Sequence, residues 1–166
     1  LSDRRLAKAL DRWCRAAVAR WCEPGAIIDG YAFIVNPKGS LRAQEWHIDS
    51  TTDAASLWVP LTPFTKQNAI EYVTLPRDTP APVLERLARH VDEVDMRTLR
   101  RDLPGLAVRQ ALAEPMAILH MGRGTIHRGI RNTGDDDRVA LMITVHFIRN
   151  YEKNYPYRSA ALRRSE

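Results

Sequence analysis

Long apolar runs are missing from this chain. No stretch approaches the about 20 residues that a membrane-spanning helix needs, and the Arg-rich start carries no signal-peptide hydrophobic region. No membrane partner and a cytoplasmic location are therefore expected. Cysteine is scarce: Cys14 and Cys22 lie eight positions apart on an expected helix. That spacing suits neither a zinc knuckle nor a disulfide framework, so both thiols are expected in or near the core. Internal repeats and low-complexity linkers are absent too. What remains is ordinary globular composition, 45% hydrophobic and 27% charged over 166 residues, enough for a single domain spanning 1–166. The first residue is Leu1 rather than methionine, which raises the expectation of a trimmed N-terminus whose missing part could hold strands.

The net charge of +5 comes from 25 Lys and Arg against 20 Asp and Glu, with clusters at Arg97, Arg100, Arg101 and at Arg158, Arg163, Arg164. Such a surplus is compatible with an anionic small molecule or a nucleic acid, and solvated helix faces explain it equally well.

Leu6, Leu10, Trp13, Cys14, Ala17, Val18 and Trp21 recur at helical spacing up to the Pro24-Gly25 turn, so an amphipathic helix packed on a sheet is expected. Strands are expected in "AIIDGYAFIVNP", "SLWVPLTPF" and "AIEYVTLP", and a second helix over Leu84, Leu87, Ala88, Val91 and Val94. Short extended segments follow in "LPGLAV", "MAILH", "GTIHRGI" and "DRVALMITVHFI". In the last of these, Val139, Leu141, Ile143, Val145 and Phe147 form an apolar face, while Arg138, Ala140, Met142, Thr144 and His146 share the other and can line a polar cavity. Many short strands with one helix in front and another inserted fit a mainly β fold with flanking helices, a double-stranded β-helix (jelly roll, cupin-like).

"EWHIDS" sets His47 and Asp49 two apart in what reads as a strand end, which points both groups to one side. An imidazole and a carboxylate make two-thirds of a facial metal triad. Of the other histidines, His90 reads as a surface side chain, His120 as a strand-end residue in or near the core, and His146 as buried in the last strand. His127, after the Gly-rich "MGRGTIH", is the strongest candidate for the third ligand. Arg138 follows it by eleven positions, across the turn "NTGDDD", so an antiparallel pair would bring imidazole and guanidinium into one cavity. A dicarboxylate could then chelate a metal at one end and meet the Arg138 fork at the other.

"WHID" followed by "IHRGIRNTGDDDRVAL" resembles the iron(II)- and 2-oxoglutarate-dependent oxygenases, specifically the phytanoyl-CoA dioxygenase-like family, over roughly residues 30 to 150, including "LWVPLTPFTKQNAI" and "AILHMGRGTIHRGIRN". The resemblance implies that His47, Asp49 and His127 bind Fe(II) and that Arg138 holds the distal carboxylate of 2-oxoglutarate, with His120 near the site and Asn132 shaping the turn. It also implies oxidative decarboxylation of 2-oxoglutarate coupled to hydroxylation of a small-molecule substrate, with ascorbate as reductant. The carboxylate of Asp49 favours hydroxylation, because halogenating relatives lack it.

Three features depart from the family. Ala140 stands where a hydroxyl often assists the carboxylate contact, making Thr125 and Thr144 the candidate substitutes; Pro76-Arg77-Asp78 replaces a common Pro-Gly-Ser-His stretch; and the chain is short. Trp46 and Trp58 read as core more than as substrate walls. Arg123 and Arg128 could meet an anionic group of the substrate or solvent, and Arg42 and Gln44 could reach the cavity mouth. The alternative reading is a non-enzymatic cupin-like module that binds metal and carboxylate. A nucleic-acid demethylase is disfavoured, because its second arginine, six positions after Arg138, is Thr144 here.

Overall fold

A computed structural model describes residues 3–22, 24–49, 54–90, 92–122 and 125–147. In chain order its elements are α1 (Arg4–Trp21), β1 (Ala26–Asn36), β2 (Ala54–Pro60), β3 (Ile70–Val73), α2 (Ala81–Arg89), α3 (Met96–Asp102), β4 (Arg109–Ala111), β5 (Leu119–Met121), β6 (Ile126–Gly129) and β7 (Arg138–Phe147). Two antiparallel sheets form, a larger one in the order β1-β7-β2-β5 and a smaller one in the order β4-β3-β6. This is the jelly roll expected from the strand pattern. Among the described residues no helix is long and apolar enough to cross a membrane.

Strand alternation divides the apolar residues into three layers. The odd-numbered face of β7 (Leu141, Ile143, Val145, Phe147) joins Ala55, Leu57 and Val59 of β2 beneath α1, which contributes Cys14 and Val18, with Cys22 half-buried at its end. Asp3 caps α1 by accepting from the Arg5 and Leu6 amides. Between the sheets lie Trp58, Phe64, Ile70, Ala111, Met121 and Ala140. Outside the smaller sheet, Ile48, Val73 and Ile126 meet Val83 and Leu87 of α2 and Leu99 of α3. The even-numbered face of β7 therefore turns inward, toward the smaller sheet, with Ala140 and Met142 in the layer between.

The helix expected over 84–94 is α2, which ends at Arg89 and stops short of Val94; a second helix, α3, begins only at Met96. α2 ends at the His90 cap, and the Asp95 side chain starts α3 by accepting from the Arg97 and Thr98 amides. Between them Val94 donates its amide to the Trp46 carbonyl. "LPGLAV" is the Pro104-Gly105 turn rather than a strand, with Gly105 at φ 95°, and β4 follows it. "EWHIDS" also differs from expectation: His47 makes only an isolated bridge to His127. The segment before it is held by Gln44 N–H to the Gly129 carbonyl at 2.9 Å, and by reciprocal His47 and His127 backbone bonds at 3.0 and 2.9 Å.

Candidate metal centre

That bridge brings residues 80 positions apart side by side. Ile126 and Arg128 point out of β6, so His127 and Gly129 point in. Ile48 likewise enters the outer layer and leaves His47 and Asp49 facing the opposite, inner side. The His47 and His127 rings lie 4.4 Å apart, centroid to centroid. Asp49 Oδ1 is 3.9 Å from His47 Nε2 and 3.7 Å from His127 Nε2, and the three candidate ligand atoms all lie within 4.8 Å of one another.

The far side of each group is already bonded. His47 Nδ1 lies 2.8 Å from the Glu45 carbonyl and His127 Nδ1 3.1 Å from the Thr125 carbonyl, which assigns the proton to Nδ1 and leaves each Nε2 a lone pair. Ser56 Oγ donates to Asp49 Oδ2 at 2.8 Å, and Trp58 Nε1 donates to Ser56 Oγ at 3.1 Å, so Oδ1 is the carboxylate oxygen turned to the imidazoles. His127 is 2% exposed, and its Nε2 is buried with no hydrogen-bond partner. Such an atom is costly unless something coordinates it. Burial lowers the His127 pKa below the ordinary imidazole value, outweighing the opposing influence of Asp49. A neutral imidazole is the form that binds metal. Two imidazoles and a carboxylate converging from one side fit a divalent iron, with the opposite positions left for other ligands.

Arg138 opens β7 at 5% exposure; the antiparallel pairing expected between its strand and that of His127 does not form, because β7 lies in the larger sheet and β6 in the smaller one. Its Nη1 donates to the Asn68 and Ala69 carbonyls at 2.9 and 3.2 Å, and its guanidinium stands 5.7 Å from the Phe64 ring centroid. Desolvation lowers its pKa. Among the described residues no carboxylate pairs with it. A buried cation without a counter-charge favours an anionic ligand. Room for the fork exists because residue 129 is glycine: a Cβ there would lie 2.8 Å from Arg138 Nη2 and 2.7 Å from Gln44 Oε1. Gly129 shares the inward face with His127, two residues or about 7 Å away. The Arg138 guanidinium, seated against Gly129, and the candidate ligand His127 therefore meet the same inward face of β6, on the order of 7 Å apart along the strand.

Other sequence candidates lie elsewhere. Thr125 contributes its carbonyl to His127. Thr144 pairs with Ser56 in register, six residues or about 20 Å along β7 from Arg138, so its hydroxyl lies toward the His47, Asp49, His127 cluster and not beside the guanidinium. His120 is exposed and pairs with Leu57, whose side faces α1; it is not a neighbour of the site. Arg128 is bound by Glu71 at 2.8 Å and stacks 4.7 Å over Trp46, which removes it from the cavity. Half-buried His146 has Nε2 3.6 Å from Asp29, and His90 is exposed. Trp46 packs against the outer layer and Trp58 is buried between the sheets. Asn132 is fully buried and ties the 132–137 turn through Asn36, Gly134 and Asp136. Arg42 is exposed; Arg123, Arg158, Arg163 and Arg164 lie outside the described residues. Ser56 escaped sequence reasoning, although a lone hydroxyl in the otherwise apolar "AASLWVP" of β2 is a signal for it.

No family model matches the chain, and no curated protein does. Solved structures match in fold. The non-heme monooxygenase ThoJ, solved as a nickel complex, is 18% identical at a TM-score of 0.54, covering 80% of this chain and 49% of its own. SnoK, a non-heme α-ketoglutarate-dependent carbocyclase from nogalamycin biosynthesis, is 14% identical at 0.55, covering 72% and 50%. EctD from S. alaskensis, solved with 2-oxoglutarate and 5-hydroxyectoine, is 16% identical at 0.57, covering 76% and 46%. The fold is one that non-heme oxygenases use. This chain spans about half the length of these proteins.

Proposed function

We propose that the chain carries a mononuclear Fe(II)- and 2-oxoglutarate-dependent oxygenase centre, of the phytanoyl-CoA dioxygenase-like kind its motifs resemble, acting on a small molecule. The observation that carries this reading is the buried, partnerless Nε2 of His127, converging with His47 Nε2 and Asp49 Oδ1 while the outer atoms of all three side chains are bonded elsewhere. Bound iron would supply oxygen activation coupled to decarboxylation of the keto acid.

The chain's own groups do the rest. His47, Asp49 and His127 hold the metal. Arg138, fixed by two carbonyls, takes the distal carboxylate of 2-oxoglutarate. Gln44 keeps its Oε1 on the Gly129 amide at 2.8 Å, and its amide nitrogen has no protein acceptor among the described residues. That nitrogen supplies, beside Arg138, the donor that Ala140 lacks. Phe64 and the inter-sheet layer exclude water from this end, which strengthens the guanidinium–carboxylate pair.

The test is succinate formation by purified protein given Fe(II), 2-oxoglutarate, ascorbate and air. Succinate is expected from the wild type and not from Asp49→Ala or His47→Ala. Succinate formation at the wild-type rate by both variants would refute the assignment. Anaerobic binding of iron and 2-oxoglutarate without turnover would leave the non-enzymatic module.

A further inference from the structure

β1 stands at one end of the larger sheet, with β7 on one side only. None of its eleven residues is buried, whereas all seven of β2 are, although β1 is rich in Ile, Val and aromatic side chains. On its outer face Tyr31, Phe33 and Val35 are 37%, 51% and 55% exposed. They pair with Ile143, Leu141 and Val139 on the side of the sheet that carries α1, but α1 is seated over β2 and β7 and leaves them uncovered. Along the other edge, the backbone from Gly30 to Val35 has no hydrogen-bonded neighbour among the described residues. Edge strands ordinarily carry a charge, a proline or a bulge that blocks pairing with another chain. β1 has such an irregularity between Ile28 and Gly30, and from Gly30 to Asn36 it has none of these devices.

We propose that β1 is an interaction edge whose partner is a second copy of this chain, paired antiparallel about a two-fold axis at Phe33, so that the larger sheets of the two copies join into one. This edge lies outside the metal centre, and pairing along it stands whether or not the chain is an oxygenase. The longest unbroken register of β1 runs from Gly30 to Asn36, and a symmetric antiparallel pair that uses all of it has one centre, Phe33. In that register Phe33 meets its own counterpart, Tyr31 meets the second copy's Val35, and on the inner face Ala32 meets Ile34. Aromatic pairs and aromatic–β-branched pairs are the favourable ones across strands, and no charge lies within the paired segment. The two ends of the segment differ in sign. Lys8 and Arg12 of α1 share a surface groove with Tyr31, and Asp11 in the same groove is already bonded by Arg15. Past Asn36, which pairs with Arg138, the exposed turn carries Asp135, Asp136 and Asp137, with the Lys38 amide donating to Asp137. Antiparallel pairing sets the basic end of each copy beside the acidic end of the other, whereas a parallel arrangement would set like ends together. The edge is thus complementary to its own reverse, which is what favours a second copy over an unrelated strand.

The experiment is sedimentation equilibrium of the full chain from about 1 μM to about 1 mM, a range that brackets weak and transient association, with hydrogen exchange measured at both limits. The weight-average mass is expected to double toward the upper limit, and the outward amides of residues 30–36 to exchange more slowly there than at the lower limit. Phe33→Lys, at a half-exposed position, sets two like charges on the axis and should weaken association by about tenfold or more with an unchanged circular dichroism spectrum. Tyr31→Lys and Val35→Glu should each weaken association alone, and together should associate more tightly than either, because the antiparallel register opposes the new charges at two places. A chain that is monomeric throughout, an association that Phe33→Lys leaves intact, or a double variant no better than its singles would each overturn the proposal. Slow exchange of residues 30–36 at every concentration in a monomer would give the edge to another segment of the same chain and overturn it as well.

Discussion

Replacing Gly129 by alanine separates two opposed effects whose sizes follow from the structure. Gly129 has no positive φ, so alanine fits its backbone, and restricting the unfolded chain would stabilise the variant by about 0.4–1 kcal/mol. Against this, the new Cβ meets Gln44 Oε1 at 2.7 Å and Arg138 Nη2 at 2.8 Å. Gln44 is exposed and can swing away, losing its bond to the Gly129 amide at a cost of about 1 kcal/mol. Arg138 cannot move so cheaply, because its buried fork holds two carbonyls, and a displaced charged hydrogen bond costs about 1.5–3 kcal/mol. The contacts win, and Gly129→Ala should lose about 2–3 kcal/mol in urea denaturation. Its 2-oxoglutarate affinity should fall by roughly tenfold to a hundredfold. Gly122→Ala is the matched control, since a Cβ there meets nothing within 4 Å. A Gly129→Ala variant as stable as wild type, with undiminished 2-oxoglutarate affinity, would show that the guanidinium is not seated against this glycine.

Ser56→Ala removes the donor to Asp49 and the acceptor of Trp58 together, so metal affinity measured by anaerobic titration should fall by about tenfold or more, with about 1–3 kcal/mol lost in stability. Unchanged metal affinity would exclude a positioning role for Ser56. Iron(II) at a hundred times its dissociation constant should stabilise the wild type by about 2.7 kcal/mol in thermal or chemical unfolding, and should leave Asp49→Ala unaffected. The Arg86–Asp102 pair joins α2 to α3, and the Arg86 hydrogen bond lowers the Asp102 pKa. A folded pKa below the unfolded value of about 3.9 means that this stability is present above pH 4 and lost as pH falls through the folded value. The gap in unfolding free energy between wild type and Asp102→Asn should therefore close on acidification; a gap that widened would contradict the linkage.

Alternation carried most of what could be foreseen. The ten residues of β7 sort into two faces because each side meets a different environment, α1 on one and the layer between the sheets on the other. The His-x-Asp spacing kept both groups on one side even though no strand forms there. Features that depend on a partner far along the chain were not legible. Nothing local to Arg128 announces Glu71, 57 residues earlier, which takes it out of the cavity. The break between α2 and α3 was hidden because Leu84, Leu87 and Val94 stay nearly in helical phase. Asp95 resets the chain by capping a new helix, and Val94 spends its amide on Trp46 instead.

Two of the three candidate ligands ride on a stretch with no strand of its own, attached to β6 through Gln44, His47 and the carbonyl and amide of a third ligand, His127. Peeling that stretch away would remove His47 and Asp49 at one stroke and strand His127 alone, so the centre assembles or comes apart as a unit. An ion bound across this seam works as a rivet between loop and sheet, and the Gln44 and His47 amides should exchange with deuterium more slowly once it is in place.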